Sequence, residues 1–311
     1  MFKKNKKASK RVVRRIEIDV TRIINQLGIN VRKIVQSKLV GKYKSVFKGK
    51  GLEFEDFRDY TPEDDYYRID WKASQKANKL LVREYIEERR IKVYFLIDTS
   101  ESMLFGSTDK LKHEYAADVA ALLGYIALNS NDAFGFGFFN DKINKFVKPV
   151  TGKRQFFIFL KELSDSKNYG GKFDIEGSLQ YLFNLIEEKS LVVIISDFIG
   201  IKKNFEKILG LYGKKFDTIA VMIKDPRDEN LENVGEIVLQ DPYSNKTLLV
   251  DTKVINKKYG AYARREEESI KDIFSKNDID FIKLTTNMGF LSSLIALFKR
   301  RESRKKEIVA F

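Results

Sequence analysis

From residue 91 onward, unbroken apolar runs alternate with stretches of helical periodicity. Val93-Tyr94-Phe95-Leu96-Ile97 is an apolar run of strand length, the pattern of a strand covered on both faces. Residues 110–129 read as a helix, and Ala133 to Phe139 as a second strand whose glycines permit close packing. Helices follow over Lys153 to Leu163 and Ile175 to Glu188, then a strand over Leu191 to Ser196. Asn204 to Tyr212 reads as a helix and Thr218 to Ile223 as a strand. A helix around residues 257–276, a strand from Asp280 to Leu284 and a last helix over residues 288–300 complete the series. This alternation predicts an α/β fold with a doubly wound, mostly parallel sheet and helices on both faces.

The first ninety residues follow other rules. Residues 1–15 carry Lys3, Lys4, Lys6, Lys7, Lys10, Arg11, Arg14 and Arg15, too many charges to pack, and are expected to form a disordered basic arm. Ile16, Val20, Ile23, Ile24 and Leu27 then share one helical face; Gly28 interrupts, and Val31, Ile34, Val35 and Leu39 resume the spacing. Two short amphipathic helices are expected, facing either an anionic membrane surface or the body of the protein. From residue 41 to 90, Gly41, Gly49, Gly51 and Pro62 break the chain into short apolar and aromatic pieces, predicting a small β-rich module. The division expected is therefore 1–40 for the arm and helices, 41–90 for the module, 91–300 for the α/β domain and 301–311 for a basic C-terminal tail.

Charge changes this picture less than its size implies. The net charge of +14 resides wholly in the first 50 residues, where 16 basic side chains face only Glu17 and Asp19. The remainder is balanced, with a closing basic cluster at Lys299, Arg300, Arg301, Arg304, Lys305 and Lys306. Charge thus sits on arms, and docking of the N-terminal arm on anionic lipid or nucleic acid is one reading of it. The 311 residues contain no cysteine, which excludes a disulfide framework, thiolate metal ligation and a cysteine nucleophile. No apolar run reaches the roughly 18 residues of a membrane span, and no apolar core follows the basic N-terminus as in a secretion signal. A soluble, cytoplasmic protein is expected.

In doubly wound sheets, ligands bind outside the carboxyl ends of the strands. Asp98 ends the first apolar run and is followed by Ser100 and Ser102; Asp197 ends the run Leu191 to Ser196. Two carboxylates and two hydroxyls form an all-oxygen donor set that suits a hard cation, Mg²⁺ first and Mn²⁺ or Ca²⁺ next, and disfavours zinc. Aspartate and serine also finish strands and cap helices for structural reasons alone. Phosphate-binding glycine loops, the His-Glu-x-x-His helix, the Gly-x-Ser-x-Gly elbow and the Gly-x-Gly-x-x-Gly fingerprint are missing from the sequence. A nucleophilic phosphatase aspartate usually has a second carboxylate two residues on, where Ser100 stands. A metal-dependent phosphoester hydrolase, with the cation activating water, remains the enzyme alternative.

Asp98, Ser100, Ser102 and Met103 resemble the metal-ion-dependent adhesion site of von Willebrand factor A-like domains. Upstream, Gly49-Lys50-Gly51-Leu52-Glu53-Phe54, Arg58-Asp59-Tyr60, Asp64-Asp65, Arg68-Ile69-Asp70-Trp71, Arg83-Glu84-Tyr85 and Glu88-Arg89 resemble the signature of the domain of unknown function 58 family. The resemblance implies a Rossmann-like A domain in which Ser100 and Ser102 hold the metal directly and Asp98 acts through water. Asp197 would contribute from a third loop, and an acidic group of a protein partner would complete the coordination without bond-breaking. It further implies a MoxR-type AAA+ ATPase as partner, in protein remodelling or maturation.

One position departs from the pattern. The second loop, where A domains carry a ligating threonine, reads Gly170-Gly171-Lys172-Phe173-Asp174. Phe173 cannot ligate, which leaves three readings: Asp174 takes over, metal binds weakly, or Lys172 supplies positive charge in its place. Lys172 and Glu101 are the residues expected to face a partner. Glu63, Asp64, Asp65 and Asp70 beside Arg58 and Arg68 form either a second site or an internal ion-pair lattice. Trp71, the only tryptophan, is expected to anchor the upstream module, and His113, the only histidine, to be incidental.

Overall fold

The computed structural model describes residues 39–41, 43, 53–62, 64–86, 91–201, 205–241, 243, 244 and 246–309. The expected basic arm, nearly all of the amphipathic segment, Glu63 and Glu88-Arg89 lie outside these residues. Strand β1 (Glu53–Asp59) pairs antiparallel with β2 (Leu81–Ile86), with a bulge between Phe54 and Asp56. Between them come a 3₁₀ turn, Tyr66–Arg68, and helix α1 (Trp71–Ala77). The upstream module is thus a strand pair bridged by a helix. Trp71 does not anchor it: at the first position of α1 it is 65% exposed, because the Asp70 cap turns that position outward.

The main body follows as β3 (Lys92–Asp98), α2 (Lys112–Asn129), β4 (Ala133–Phe139), β5 (Ile143–Val150), α3 (Lys153–Ser164), α4 (Ile175–Phe183) and β6 (Leu191–Ser196). Then come α5 (Phe205–Lys215), β7 (Asp217–Lys224), the single turn α6 (Pro226–Glu229), the hairpin strands β8 (Glu236–Gln240) and β9 (Thr247–Asp251), α7 (Thr252–Lys276), β10 (Asp280–Thr285) and α8 (Leu291–Val309). Six strands form one sheet in the order β10-β7-β6-β3-β4-β5, parallel throughout except that β5 runs antiparallel to β4.

The period-2 alternation of β3 divides the core in two. Val93, Phe95 and Ile97 join α2, α3 and α8 on one face, while Tyr94 and Leu96 join α4, α5 and α7 on the other. Both faces are covered, which is why β3 and β6 read as continuous apolar runs. Leu39, Val40 and Tyr43 are buried in the first of these cores, Tyr43 edge-on to Phe298 at 6.0 Å. That end of the amphipathic segment therefore faces the body of the protein.

Three elements differ from expectation. Strand β5 has no clean alternation because it is a sheet edge, where lysines and Pro149 are tolerated. At the Gly135 position of β4, a Cβ would lie 2.4 Å from the Val147 carbonyl oxygen, so only glycine admits this edge strand. The β8–β9 hairpin is an insertion between β7 and β10 with largely exposed strands, whose apolar runs Ile237-Val238-Leu239 and Leu248-Leu249-Val250 are too short to stand out. Finally, residues from 301 do not begin a tail. Helix α8 continues to Val309, tied down by Arg301 to Asp217 and Asp280 and by Arg304 to Asp280 at 3.0 Å. Among the described residues no helix is long and apolar enough to cross a membrane.

Candidate functional site

The sheet order reverses at β3. The chain leaves it towards β4 and β5, then returns to its other side with β6, and this switch opens a crevice at the carboxyl ends of β3 and β6. Asp98 and Asp197 emerge there side by side, both fully buried, with Ser100 fully buried and Ser102 nearly so. The first loop folds back on itself: the Ser100 amide donates to Asp98 Oδ1 at 2.8 Å, and the Ser100 and Ser102 hydroxyls are 3.2 Å apart. Ser196 donates to Asp98 Oδ2 at 2.6 Å while accepting from the Phe198 amide at 2.9 Å. Asp197 accepts from the Ile199 amide at 3.0 Å. This turn requires Phe198 to adopt a left-handed φ of +53°, an uncommon conformation for a bulky residue, held by its burial against Phe274 at 5.0 Å.

The second loop is fastened to the first by backbone bonds. Gly170 N–H donates to the Thr99 carbonyl at 2.7 Å and Glu101 N–H to the Gly171 carbonyl at 2.9 Å. Gly171 has φ +90°, and a Cβ there would come within 2.7 Å of the Asn140 side-chain amide, so two constraints demand glycine. Asp174 is the N-cap of α4, accepting from the Gly177 amide at 3.4 Å. Phe173 lies against the second core beside Gly200. Lys172 is exposed and Glu101 half-buried.

Positive charge at the crevice comes from a residue that the sequence reading passed over. Lys112, in the first turn of α2 and 1% exposed, donates to Asp197 at 2.7 Å and to Asp228 at 3.0 Å. Burial works against its charge, but the two carboxylates hold the ammonium well above the ordinary lysine range. Asp197 responds in kind: burial would raise it, yet Lys112, with Lys224 farther off, keeps it below the usual carboxylate range. Among the described residues no cation pairs with Asp98. Burial first, then the charge of Asp197, push it up to about 7 despite the hydrogen bonds from Ser196 and Ser100. A lysine in a first helical turn opposes the helix dipole, and that was the available signal for Lys112.

A second missed residue is Tyr243, from the turn between β8 and β9. Its phenol oxygen is buried, and that burial raises the phenol above its ordinary range while the Ser102 and Ser100 hydroxyls pull it back. His113, 2% exposed, is a core residue, with Nδ1 3.3 Å from the Met103 carbonyl and its ring against Tyr169.

These donors decide how well a hard cation fits. Among the described residues no three carboxylate, histidine or cysteine side chains converge to hold a metal. A cation at this crevice would therefore rely on Ser100 and Ser102 beside the unbalanced Asp98. Mg²⁺ with ligands at about 2.1 Å sets neighbouring oxygens about 3 Å apart, close to the spacing of the two hydroxyls. An oxygen-only set of this kind fits Mg²⁺ or Mn²⁺.

The family described as Protein of unknown function DUF58 matches residues 56–269. An uncharacterized protein of Mycobacterium tuberculosis is 26% identical over 223 residues, which is 71% of this chain and 70% of that protein. Similar solved structures include an aerotolerance-related membrane protein from Bacteroides fragilis, at 12% identity and TM-score 0.48 over 69% of this chain and 99% of the other. A von Willebrand factor type A protein from Catenulispora acidiphila is 9% identical with TM-score 0.43, over 70% of this chain and 44% of the other. The chain belongs to the DUF58 family.

Proposed function

We propose that this DUF58 member is a non-catalytic protein-interaction module that takes an acidic group of a protein partner through a divalent cation, Mg²⁺ before Mn²⁺ or Ca²⁺. Ser100 and Ser102 hold the ion, Asp98 supports it through water, and Asp197 stands behind with its charge balanced by Lys112. The observation carrying this reading is the meeting of Asp98, Ser100, Ser102 and Asp197 at the switch point of the sheet, with Asp98 buried and paired with no cation among the described residues. Family resemblance adds the finer step, a MoxR-type AAA+ ATPase as the partner, served in the cytoplasm during protein remodelling or maturation. Chemistry favours binding over turnover. Asp197 is engaged by Lys112, and Ser100 stands where a phosphatase would place its second carboxylate.

Calorimetric titration with Mg²⁺ and Mn²⁺ tests the site. Wild type should bind one ion, Asp98→Ala should lose it, and Asp174→Asn, which keeps a competent helix cap, should leave the affinity unchanged. Equal affinity in Asp98→Ala would overturn the reading. A loss in Asp174→Asn would move the ligand set to the second loop.

A further inference from the structure

The six-stranded sheet ends on β5, which pairs with β4 alone among the described strands. Such an edge presents backbone N–H and C=O groups to which a further strand can bond. The far part of this edge is shielded: Pro149 has no N–H, and the Lys148 carbonyl accepts from Gln155 at 3.2 Å. The nearer part, Ile143 to Val147, borders a groove of about 600 Å³ between β5 and α4. Its apolar lining comes from Ile143 and Phe146, both half-buried, and from Tyr181 and Leu185, which are 60% and 40% exposed. An open strand edge beside an apolar pocket supplies the two parts that strand addition uses, main-chain hydrogen bonds for affinity and a side-chain seat for specificity.

Charge selects the kind of strand. Lys142 and Lys145 line the groove against one acidic residue, Asp141. Lys145 is met by Glu162 at 2.9 Å, whereas Lys142 and Lys148 are exposed and pair with no carboxylate among the described residues. A second copy of the chain would set these lysines against their own kind; an acidic strand would meet them. The groove also adjoins the crevice. Asn144, in its lining, donates to the Thr99 hydroxyl at 3.3 Å, one residue beyond Asp98. Asn140 ties the same end to the second loop, accepting from the Lys142 amide at 3.1 Å and donating to the Gly170 carbonyl at 2.7 Å.

We propose that this groove docks an extended acidic segment of a protein partner, which adds to the β5 edge as a further strand and seats an apolar side chain among Phe146, Tyr181 and Leu185. The inference rests on the protein-interaction reading above but needs no cation. It makes β5 a recognition edge, and its lysines the groups that turn away other copies of the chain while admitting an acidic strand.

The test uses the full chain in EDTA at low salt, with a fluorescein-labelled peptide of about ten residues alternating glutamate and leucine, long enough to cover the open edge. Fluorescence anisotropy should show saturable binding. Replacing Tyr181 and Leu185 together by alanine should weaken it about tenfold, and Lys142→Glu about fivefold. All three positions are exposed, and thermal melts check that the variants fold. A fully N-methylated peptide, which cannot donate main-chain hydrogen bonds, should not bind, and this arm needs no variant. The proposal is overturned if the wild type does not bind the peptide, if a lysine–leucine peptide binds as well, or if the alanine pair or the methylated peptide binds like the originals. Such a failure beside one bound Mg²⁺ would leave the cation reading standing; peptide binding by a chain that takes no Mg²⁺ would remove the cation and keep the groove.

Discussion

The crevice at the ends of β3 and β6 and the acidic stretch between β1 and β2 are both rich in aspartate, yet they use it in opposite ways. In the upstream stretch every described carboxylate meets its partner locally, near solvent. Asp64 takes a two-pronged contact from Arg58 at 2.6 and 2.5 Å, Asp65 caps the 3₁₀ turn through the Tyr67 amide, and Asp70 caps α1 through the Lys72 and Ala73 amides. Of the lattice expected there, the described residues show the Arg58–Asp64 and Lys79–Asp59 pairs beside the caps of Asp65 and Asp70, which precede turns whose amides need acceptors. At the crevice, Asp98 and Asp197 are 99 residues apart, at the ends of different strands, and are fully buried. Sequence distance and burial, more than residue type, separate a local capping aspartate from one buried at the ends of two strands.

The largest break in this comparison is expected at Lys112. Removing one partner of a buried ion pair leaves an uncompensated charge and typically costs about 3–5 kcal/mol. Lys112→Met should destabilise by that amount in urea denaturation, since Asp197 and Asp228 both lose their cation. A loss below about 1 kcal/mol would put the crevice in the same class as an exposed pair.

Asp98→Asn should do the reverse. The Asp98 carboxyl titrates near 7 when folded but near the ordinary aspartate value of 3.8 when unfolded. Its ionisation therefore costs the folded state stability as pH rises through that window, and nothing below it where both states are protonated. In EDTA at pH 8 the variant should be more stable than wild type by roughly 2–4 kcal/mol, and the gain should vanish towards pH 4. Saturating Mg²⁺ should narrow or invert the difference, because only the wild type then has its charge met. A flat difference from pH 4 to 8 would remove the contrast between Asp98 and the upstream carboxylates.

The same contrast explains what was legible in the sequence. Strands β4 and β6 match their apolar runs residue for residue, because a central strand with both faces covered is apolar throughout. Strand β5 went unseen because an edge strand carries lysine and proline, and the β8–β9 hairpin because its apolar runs are short and flanked by polar residues. Asp98, Ser100, Ser102 and Asp197 were readable since strand ends are known places to look, and the structure brings all four together. Asp174 and Phe173 were readable as a departure, and turn out to be a helix cap and a core contact. Lys112 and Tyr243 could not be placed. Lys112 follows the first loop closely but meets Asp197 85 residues on, and Tyr243 comes from the hairpin insertion; nothing local in either segment specifies what it will meet.

The smallest effect, and the one that sharpens the comparison most cleanly, belongs to Arg58. The Arg58 guanidinium first, and then the Thr61 amide, hold the Asp64 carboxyl well below the usual carboxylate range. In Arg58→Ala, Asp64 keeps Thr61 N at 3.0 Å and Thr61 Oγ at 2.9 Å, so its carboxyl-carbon NMR titration should move up towards the ordinary value near about 4 without fully reaching it. A depressed folded value contributes stability above the unfolded one and loses it as pH falls, so any change should show at neutral pH and fade in acid. At pH 7 the thermal midpoint should fall only slightly, since exposed pairs contribute little. A large drop at pH 7 would mean that Arg58–Asp64 anchors the upstream strand pair as Lys112 anchors the crevice; a shift in titration with only a slight shift in midpoint would keep the two regions apart.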